Sequence, residues 1–166
     1  MKKIYFIRHA KASERTEILE DFLRPLNSRG KNDVSFMAKR LKHFHVMPDI
    51  IYSSPAKRAL KTSKEIALEL GCPKKTIVLC DELYESSYAY YLELIHSTDD
   101  THESVFIVAH NPTLTEVAEH LSGAILSNIP TCAIVCISFD VKSFKEIHEE
   151  SGHILFFDYP KKHFKN

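Results

Sequence analysis

Residues 3–10 read KIYFIRHA, and residues 104–112 read SVFIVAHNP. Both open as short apolar runs rich in β-forming residues, which is the pattern of buried strands. Both end abruptly in polar chemistry, the first in Arg8 and His9, the second in His110 and Asn111. A third run, IIYSSP at residues 50–55, leads within one helical turn to Arg58. In open α/β sheets, ligand sites form outside the carboxyl ends of the strands, near the point where strand order reverses. Three strands that deliver two imidazoles and two guanidiniums to that edge predict one crevice suited to a phosphate group. Forked guanidinium donors bond two of its oxygens at once, and a helix starting after Ser53-Ser54-Pro55 adds free N–H groups and a positive dipole end.

The rest of the chain alternates strand and helix patterns around these runs. After RPLNSRG (24–30), Asn27 reads as an N-cap, and Val34, Met37, Ala38 and Leu41 recur at helical spacing. Ser54 reads as the cap of a second helix, with Pro55 in its first position and Ala59, Leu60, Ser63, Ile66, Ala67 and Leu70 as its buried stripe up to Gly71. TIVLC (76–80) reads as a third strand, Ala89 to Ile95 as a short helix, and NPTLTEVAEHLSG (111–123) as a turn and a helix stopped by Gly123. TCAIVCISFD (131–140), begun by Thr131, and GHILFFDYP (152–160) are strands joined by a polar stretch, which suggests an antiparallel pair. The expected fold is an α/β three-layer sandwich: a mostly parallel central sheet, helices on both faces, and an antiparallel C-terminal edge pair. One domain is expected over 1–166, with 1–159 as its core and PKKHFKN (160–166) as a frayed tail.

Composition narrows the function. The 22 basic and 22 acidic side chains cancel, against a nucleic-acid binder, which carries a basic excess. The apolar run of MKKIYF is too short for a signal peptide or a membrane span, so a cytoplasmic protein without membrane attachment is expected, a monomer. Cys72, Cys80, Cys132 and Cys136 form no C-x-x-C pair and read as reduced core residues, the last two facing one side of a strand. Of the ten histidines, His43, His45, His96, His102, His148, His153 and His163 are assigned to surfaces or loops, and no H-E-x-x-H spacing occurs. No metal site and no cofactor are expected.

Taken singly, Arg-His after a strand, an Asn-Pro turn and a capped helix start are ordinary. Together and in this order they are distinctive. IRHAKA, RPLNSRG, PDIIYSSPAKRALKTSKEIA, DELYES and VFIVAHNPTLTEVAEHL resemble the histidine phosphatase superfamily, the phosphoglycerate mutase-like proteins, and within it the SixA-type phosphohistidine phosphatases. The resemblance runs in order from about Lys3 to Phe139. It implies that His9 is the nucleophile that becomes transiently phosphorylated. It implies that Arg8 and Arg58 hold the phosphoryl oxygens and that His110 joins them as a donor, protonated or not, with no metal required. Arg24 follows a family pattern, either reaching the phosphate or closing the long loop. Asn111 is placed to orient the turn after His110, and Ser13 and Ser54 are further hydroxyl donors.

One departure bears on substrate. Many relatives that cleave phosphate esters carry a carboxylic acid, in an insertion after the third strand, that protonates the leaving alkoxide. Here the insertion is missing, and only Glu82 and Glu85 in DELYESS are candidates, Glu85 at the L-x-E spacing. Imidazole leaves with little help because its pKa is about 6.5. The expectation is therefore a metal-independent phosphatase acting on phosphohistidine in a signalling or phosphotransfer protein. The alternatives are a small-molecule phosphomonoesterase with Glu85 as general acid, or a non-catalytic phosphohistidine-binding module.

Overall fold

The computed structural model describes residues 1–164. Six strands form one sheet: β1 (Lys2–Arg8), β2 (Ile50–Ser53), β3 (Ile77–Leu79), β4 (Ser104–Ala109), β5 (Ile134–Phe139) and β6 (Gly152–Asp158). Their spatial order is β3-β2-β4-β1-β5-β6. The β3-β2, β2-β4 and β4-β1 pairs are parallel, whereas β5 is antiparallel to both β1 and β6. Only β5 therefore runs against the others. A register shift between Cys136 and Ile137 leaves Leu155 unpaired as a bulge in β6.

Alternation along the central strands fills two cores. Ile4 and Phe6 of β1 face a core completed by α3 (Tyr88–His96) and α4 (Thr113–Ser122), through Tyr91, Ile95, Leu114, Val117 and Leu121. Tyr5 and Ile7 face the opposite core, built by α1 (Ser28–His43) and α2 (Lys57–Leu70). There Val34, Met37, Ala38 and Leu41 of α1 meet Ile66, Ala67 and Leu70 of α2. Cys132 and Cys136 lie in this second core as free thiols. The α/β three-layer architecture is the expected one, with strands apolar on both sides because both sides are covered.

Local chemistry sets the element ends. The Asn27 side chain accepts the Gly30 N–H at 2.8 Å, capping α1 as expected. Gly30 has a second role: a Cβ there would collide with the backbone carbonyl of Lys11, so only glycine lets α1 approach the segment after His9 this closely. Helices α2 and α4 stop at Gly71 and Gly123, each with φ 75°.

Several strand and helix ends shift by one or two residues from the sequence reading, and three differences go further. Helix α2 begins at Lys57 with Ala56 as its cap and no side-chain cap bond. Ser54 is therefore not the N-cap; its Oγ accepts the Ala56 N–H in a turn before the helix. Thr131 lies in the turn ahead of β5, not in the strand. The segment after Tyr159 is ordered: Pro160–Lys162 form a 3₁₀ turn with Pro160 buried, His163 bonds Asp158 at 2.6 Å, and Phe164 packs on Phe36. A frayed end holds for none of these residues, and Lys165 and Asn166 lie outside the described residues. Among the described residues, no helix is long and apolar enough to cross a membrane.

Candidate active site

His9 and His110 follow the last residues of the adjacent parallel strands β1 and β4, whose ladder ends at the Arg8–Ala109 pair. The His9 N–H continues it by bonding the Ala109 carbonyl at 3.2 Å. This brings the two imidazoles to a ring-centroid separation of 4.9 Å. Both are nearly buried, 7% and 8% exposed. Arg58 enters from the first turn of α2 and is equally buried. The three strand ends named from the sequence thus converge as expected.

The tautomers follow from fixed partners. His9 Nδ1 lies 2.8 Å from the Ala10 carbonyl, which can only accept, so Nδ1 carries the proton and Nε2 keeps its lone pair. Burial, reinforced by the charges of Arg58, Arg8 and Arg24, pushes the His9 pKa down to about 4 against the opposing pull of the Ala10 carbonyl. His110 Nδ1 faces Arg58 Nη2 at 3.5 Å, and its Nε2 sits 2.8 Å from Ser54 Oγ. A guanidinium only donates, so Nε2 holds the proton and donates it to Ser54. Burial, then His9 and Arg58, push the His110 pKa down to about 3. Both rings are neutral near pH 7, and His110 is a neutral donor in the free site, not a protonated one. The serine read as a cap is the partner that orients it.

The arginines are held differently. Arg8 donates Nη1 to the Ile129 carbonyl at 3.0 Å. Burial, then the nearby charge of Arg58, lowers its pKa from the usual value. Arg58 donates Nη1 to the Asp21 backbone carbonyl at 2.7 Å and Nη2 to the Asp21 carboxylate at 3.0 Å. The buried Nε of each arginine has no acceptor among the described residues, which leaves each a donor to offer an anion.

Asp21 was not legible in the sequence. Its carboxylate also takes Arg24 Nε at 3.0 Å, Arg15 Nη2 at 3.2 Å and the Tyr84 hydroxyl at 2.7 Å. Burial alone would raise its pKa, but the Tyr84 hydrogen bond and the Arg58 and Arg24 charges hold the carboxyl well below the usual range. Tyr84 in turn packs edge-on against the His110 ring at 5.6 Å and against Phe22 at 5.1 Å. Thr62 is a second omission: its hydroxyl accepts the Ala10 N–H and donates to the Arg58 carbonyl, joining the His9 segment to α2. The only sequence cue for either was position, Asp21 three residues before Arg24 and Thr62 one turn after Arg58.

The remaining candidates separate. Arg24 closes the long loop through Asp21 and the Ser13 carbonyl, and its charge also reaches His9. Asn111 donates to the Asn128 side chain and the Ile129 carbonyl and accepts from Thr115, tying the turn after His110 to the loop that holds Arg8. Glu85 lines a cavity of about 360 Å³ with Arg58, His110, Tyr84 and Asp21; Glu82 does not line it. The Ser13 hydroxyl is buried without a partner among the described residues.

The fold and this edge define an α/β protein that gathers two neutral imidazoles and two guanidiniums at the carboxyl ends of parallel strands. Residues 4–98 match the family model of the histidine phosphatase superfamily (branch 1), and the chain belongs to that superfamily. A solved structure assigned as the phosphohistidine phosphatase SixA of Agrobacterium tumefaciens is 27% identical and superposes with a TM-score of 0.80, over 96% of this chain and 98% of that one. The protein histidine phosphatase SixA complexed with tungstate shares the fold at a TM-score of 0.82 and 23% identity, over the same shares of the two chains. An uncharacterised protein of Picosynechococcus sp. is 30% identical over 122 residues, 72% of this chain and 73% of the relative. By class, the chain is a member of the histidine phosphatase superfamily whose fold matches that of the SixA structures.

Proposed function

We propose that this chain is a metal-independent phosphohistidine phosphatase in which His9 is the nucleophile and its substrate a phosphorylated histidine on a signalling or phosphotransfer protein. The observation that carries the proposal is the tautomer of His9: Nδ1–H is committed to the Ala10 carbonyl, and Nε2 keeps its lone pair within reach of the Arg58 and Arg8 charges. Nε2 attacks phosphorus while the bond from phosphorus to the substrate nitrogen breaks, and the departing imidazole takes up a proton from solvent. Water then attacks phosphorus, the bond to Nε2 breaks, and phosphate leaves with His9 regenerated. Arg8 and Arg58 offer donors to the phosphoryl oxygens throughout, and Arg58 is pre-oriented by Asp21. His110 turns its Nε2–H from Ser54 to an oxygen that gains charge.

The test is turnover with a chemically phosphorylated histidine protein. His9→Ala abolishes phosphate release, and wild type quenched in alkaline detergent carries phosphate on His9. His110→Ala and Arg58→Ala reduce kcat by roughly 10²–10³-fold, the scale for an oriented donor at developing charge. Full activity in His9→Ala overturns the proposal.

A phosphomonoesterase reading has one observation in its favour, the position of Glu85 on the cavity that holds Arg58 and His110. Esters need an acid there and phosphohistidine does not, so the two substrate classes separate the readings.

A further inference from the structure

A second cavity, of about 290 Å³, opens beside Arg8. Its charged lining is Arg8 from the end of β1, Lys11 from the segment after it, Arg29 from the first turn of α1, Lys161 from the C-terminal turn, and a single carboxylate, Asp33. Asn128 and Thr131 complete the polar wall. Four cations thus converge from separate parts of the chain on one buried acid. Arg29 is the ion-pair partner of that acid, at a long 3.7 Å. Burial keeps the Asp33 carboxyl above its ordinary pKa although Arg29, Lys161 and Lys11 all pull it down. Even fully ionised, one carboxylate offsets only one of the four lining cations, and the Lys11, Arg29 and Lys161 side chains are exposed.

The cavity lined by Glu85 has no such excess. There Arg15 and Arg58 are matched by Asp21 and Glu85. The charge around His9 is consequently lopsided, balanced on the Glu85 side and cationic on the Arg8 side. Arg8 lines the basic cavity, its charge reaches His9, and its Nε is free of protein acceptors among the described residues, so one guanidinium links an anion in that cavity with a phosphoryl group on His9. The cavity is small, and its donors are side chains on flexible stems rather than a backbone cradle. That suits the end of one acidic side chain.

We propose that the basic cavity beside Arg8 is a subsite for an aspartate or glutamate that flanks the phosphorylated residue of a protein substrate. This deepens the phosphohistidine reading and rests on it for the identity of the phosphorylated residue. It also sets direction: the acidic flank lies toward Lys161 and Arg29, the uncharged flank toward Glu85.

The experiment uses matched peptides with glutamate or glutamine flanks, one pair carrying phosphohistidine and one phosphoserine, with p-nitrophenyl phosphate as the unflanked control. Wild type prefers the glutamate peptide by about fivefold in KM with kcat unchanged, the upper end for one partly exposed ion pair. The preference shrinks as salt rises. Lys161→Glu abolishes or reverses it while leaving p-nitrophenyl phosphate turnover unchanged, and Lys161→Gln reduces it. Equal KM for the two flanks in wild type overturns the subsite, as does a Lys161→Glu enzyme slowed alike on peptides and aryl phosphate. Flank preference seen only in the phosphoserine pair upholds the subsite and overturns the phosphohistidine reading. Turnover of neither peptide pair overturns both.

Discussion

Asp21 grips Arg58 twice, through its backbone carbonyl at 2.7 Å and its carboxylate at 3.0 Å. The first bond is independent of the side chain and the second depends on it. Asp21→Ala therefore leaves Arg58 tethered at Nη1 but free to swing at Nη2, and it releases Tyr84 and Arg24 as well. We expect kcat to fall about 10- to 100-fold, because small misplacements of a charged donor are magnified in the transition state. Steady-state kinetics on an aryl phosphate, with a matched thermal melt, check that the loss is not unfolding.

Protonation sets the acid limit. In the proposed mechanism His9 attacks only with Nε2 unprotonated, and burial, with the nearby arginine charges, puts its pKa at about 4. For free enzyme, kcat/KM should thus fall below about pH 4, well under the ordinary imidazole value of about 6.5. A pH profile of kcat/KM on an acid-stable aryl phosphate reads this directly. An acid limb near 6.5 would mean that His9 is far more solvated than its 7% exposure implies.

Stability follows the same groups. His9 and His110 titrate at about 4 and about 3 in the folded protein and at about 6.5 when unfolded. Between these values the unfolded chain binds more protons, so stability falls as pH drops from about 6.5 and the loss levels off below the folded values. The depressed carboxyl of Asp21 adds a further loss at lower pH, once the unfolded carboxylate begins to protonate. Denaturant midpoints at pH 7, 5.5 and 4.5 should decline in that order, and His110→Gln should flatten the decline.

Gly30→Ala tests the contact between α1 and the segment carrying His9. The new methyl group meets the Lys11 carbonyl, backbone against backbone, so neither side can yield cheaply. We expect a destabilisation of about 1–3 kcal/mol, the usual range for overpacking. Activity should fall by more than the lost folded fraction, since Lys11 lies two residues beyond His9. Calorimetry and kinetics on the same sample separate the two effects.

Glu85→Gln divides the substrate classes. Turnover of phosphohistidine peptide should be unchanged. Should ester hydrolysis alone collapse by about 10²-fold, the usual contribution of a general acid, Glu85 serves esters.

The strand ends were readable because a buried parallel strand is apolar throughout, so a charge at its terminus stands out: Arg8, His9 and His110 announced themselves this way. The helix faces were equally plain from their spacing. Asp21, Tyr84 and Thr62 were not, for different reasons. Asp21 sits in an irregular polar segment, where no periodicity marks one carboxylate among several, and its partners lie up to 63 residues away. Thr62 occupies a helical position at which a buried hydroxyl looks like packing until its partner, the Ala10 N–H, is known. Ser54 was noticed but assigned to the helix start, because Ser-Pro before a helix is an ordinary capping signal. Its bond to His110 depends on the β2–β4 pairing, which no local pattern specifies.

The two imidazoles sit one step beyond neighbouring rungs of the β1–β4 ladder. Their 4.9 Å separation matches the gap between hydrogen-bonded strands, about 4.7–4.9 Å. The spacing of the two rings is thus a dimension of the peptide group, borrowed by the side chains. Substitutions within the sheet that preserve pairing should leave it untouched. Heat inactivation and melting of the sheet should consequently be one event, with catalytic assay and circular dichroism tracing the same curve.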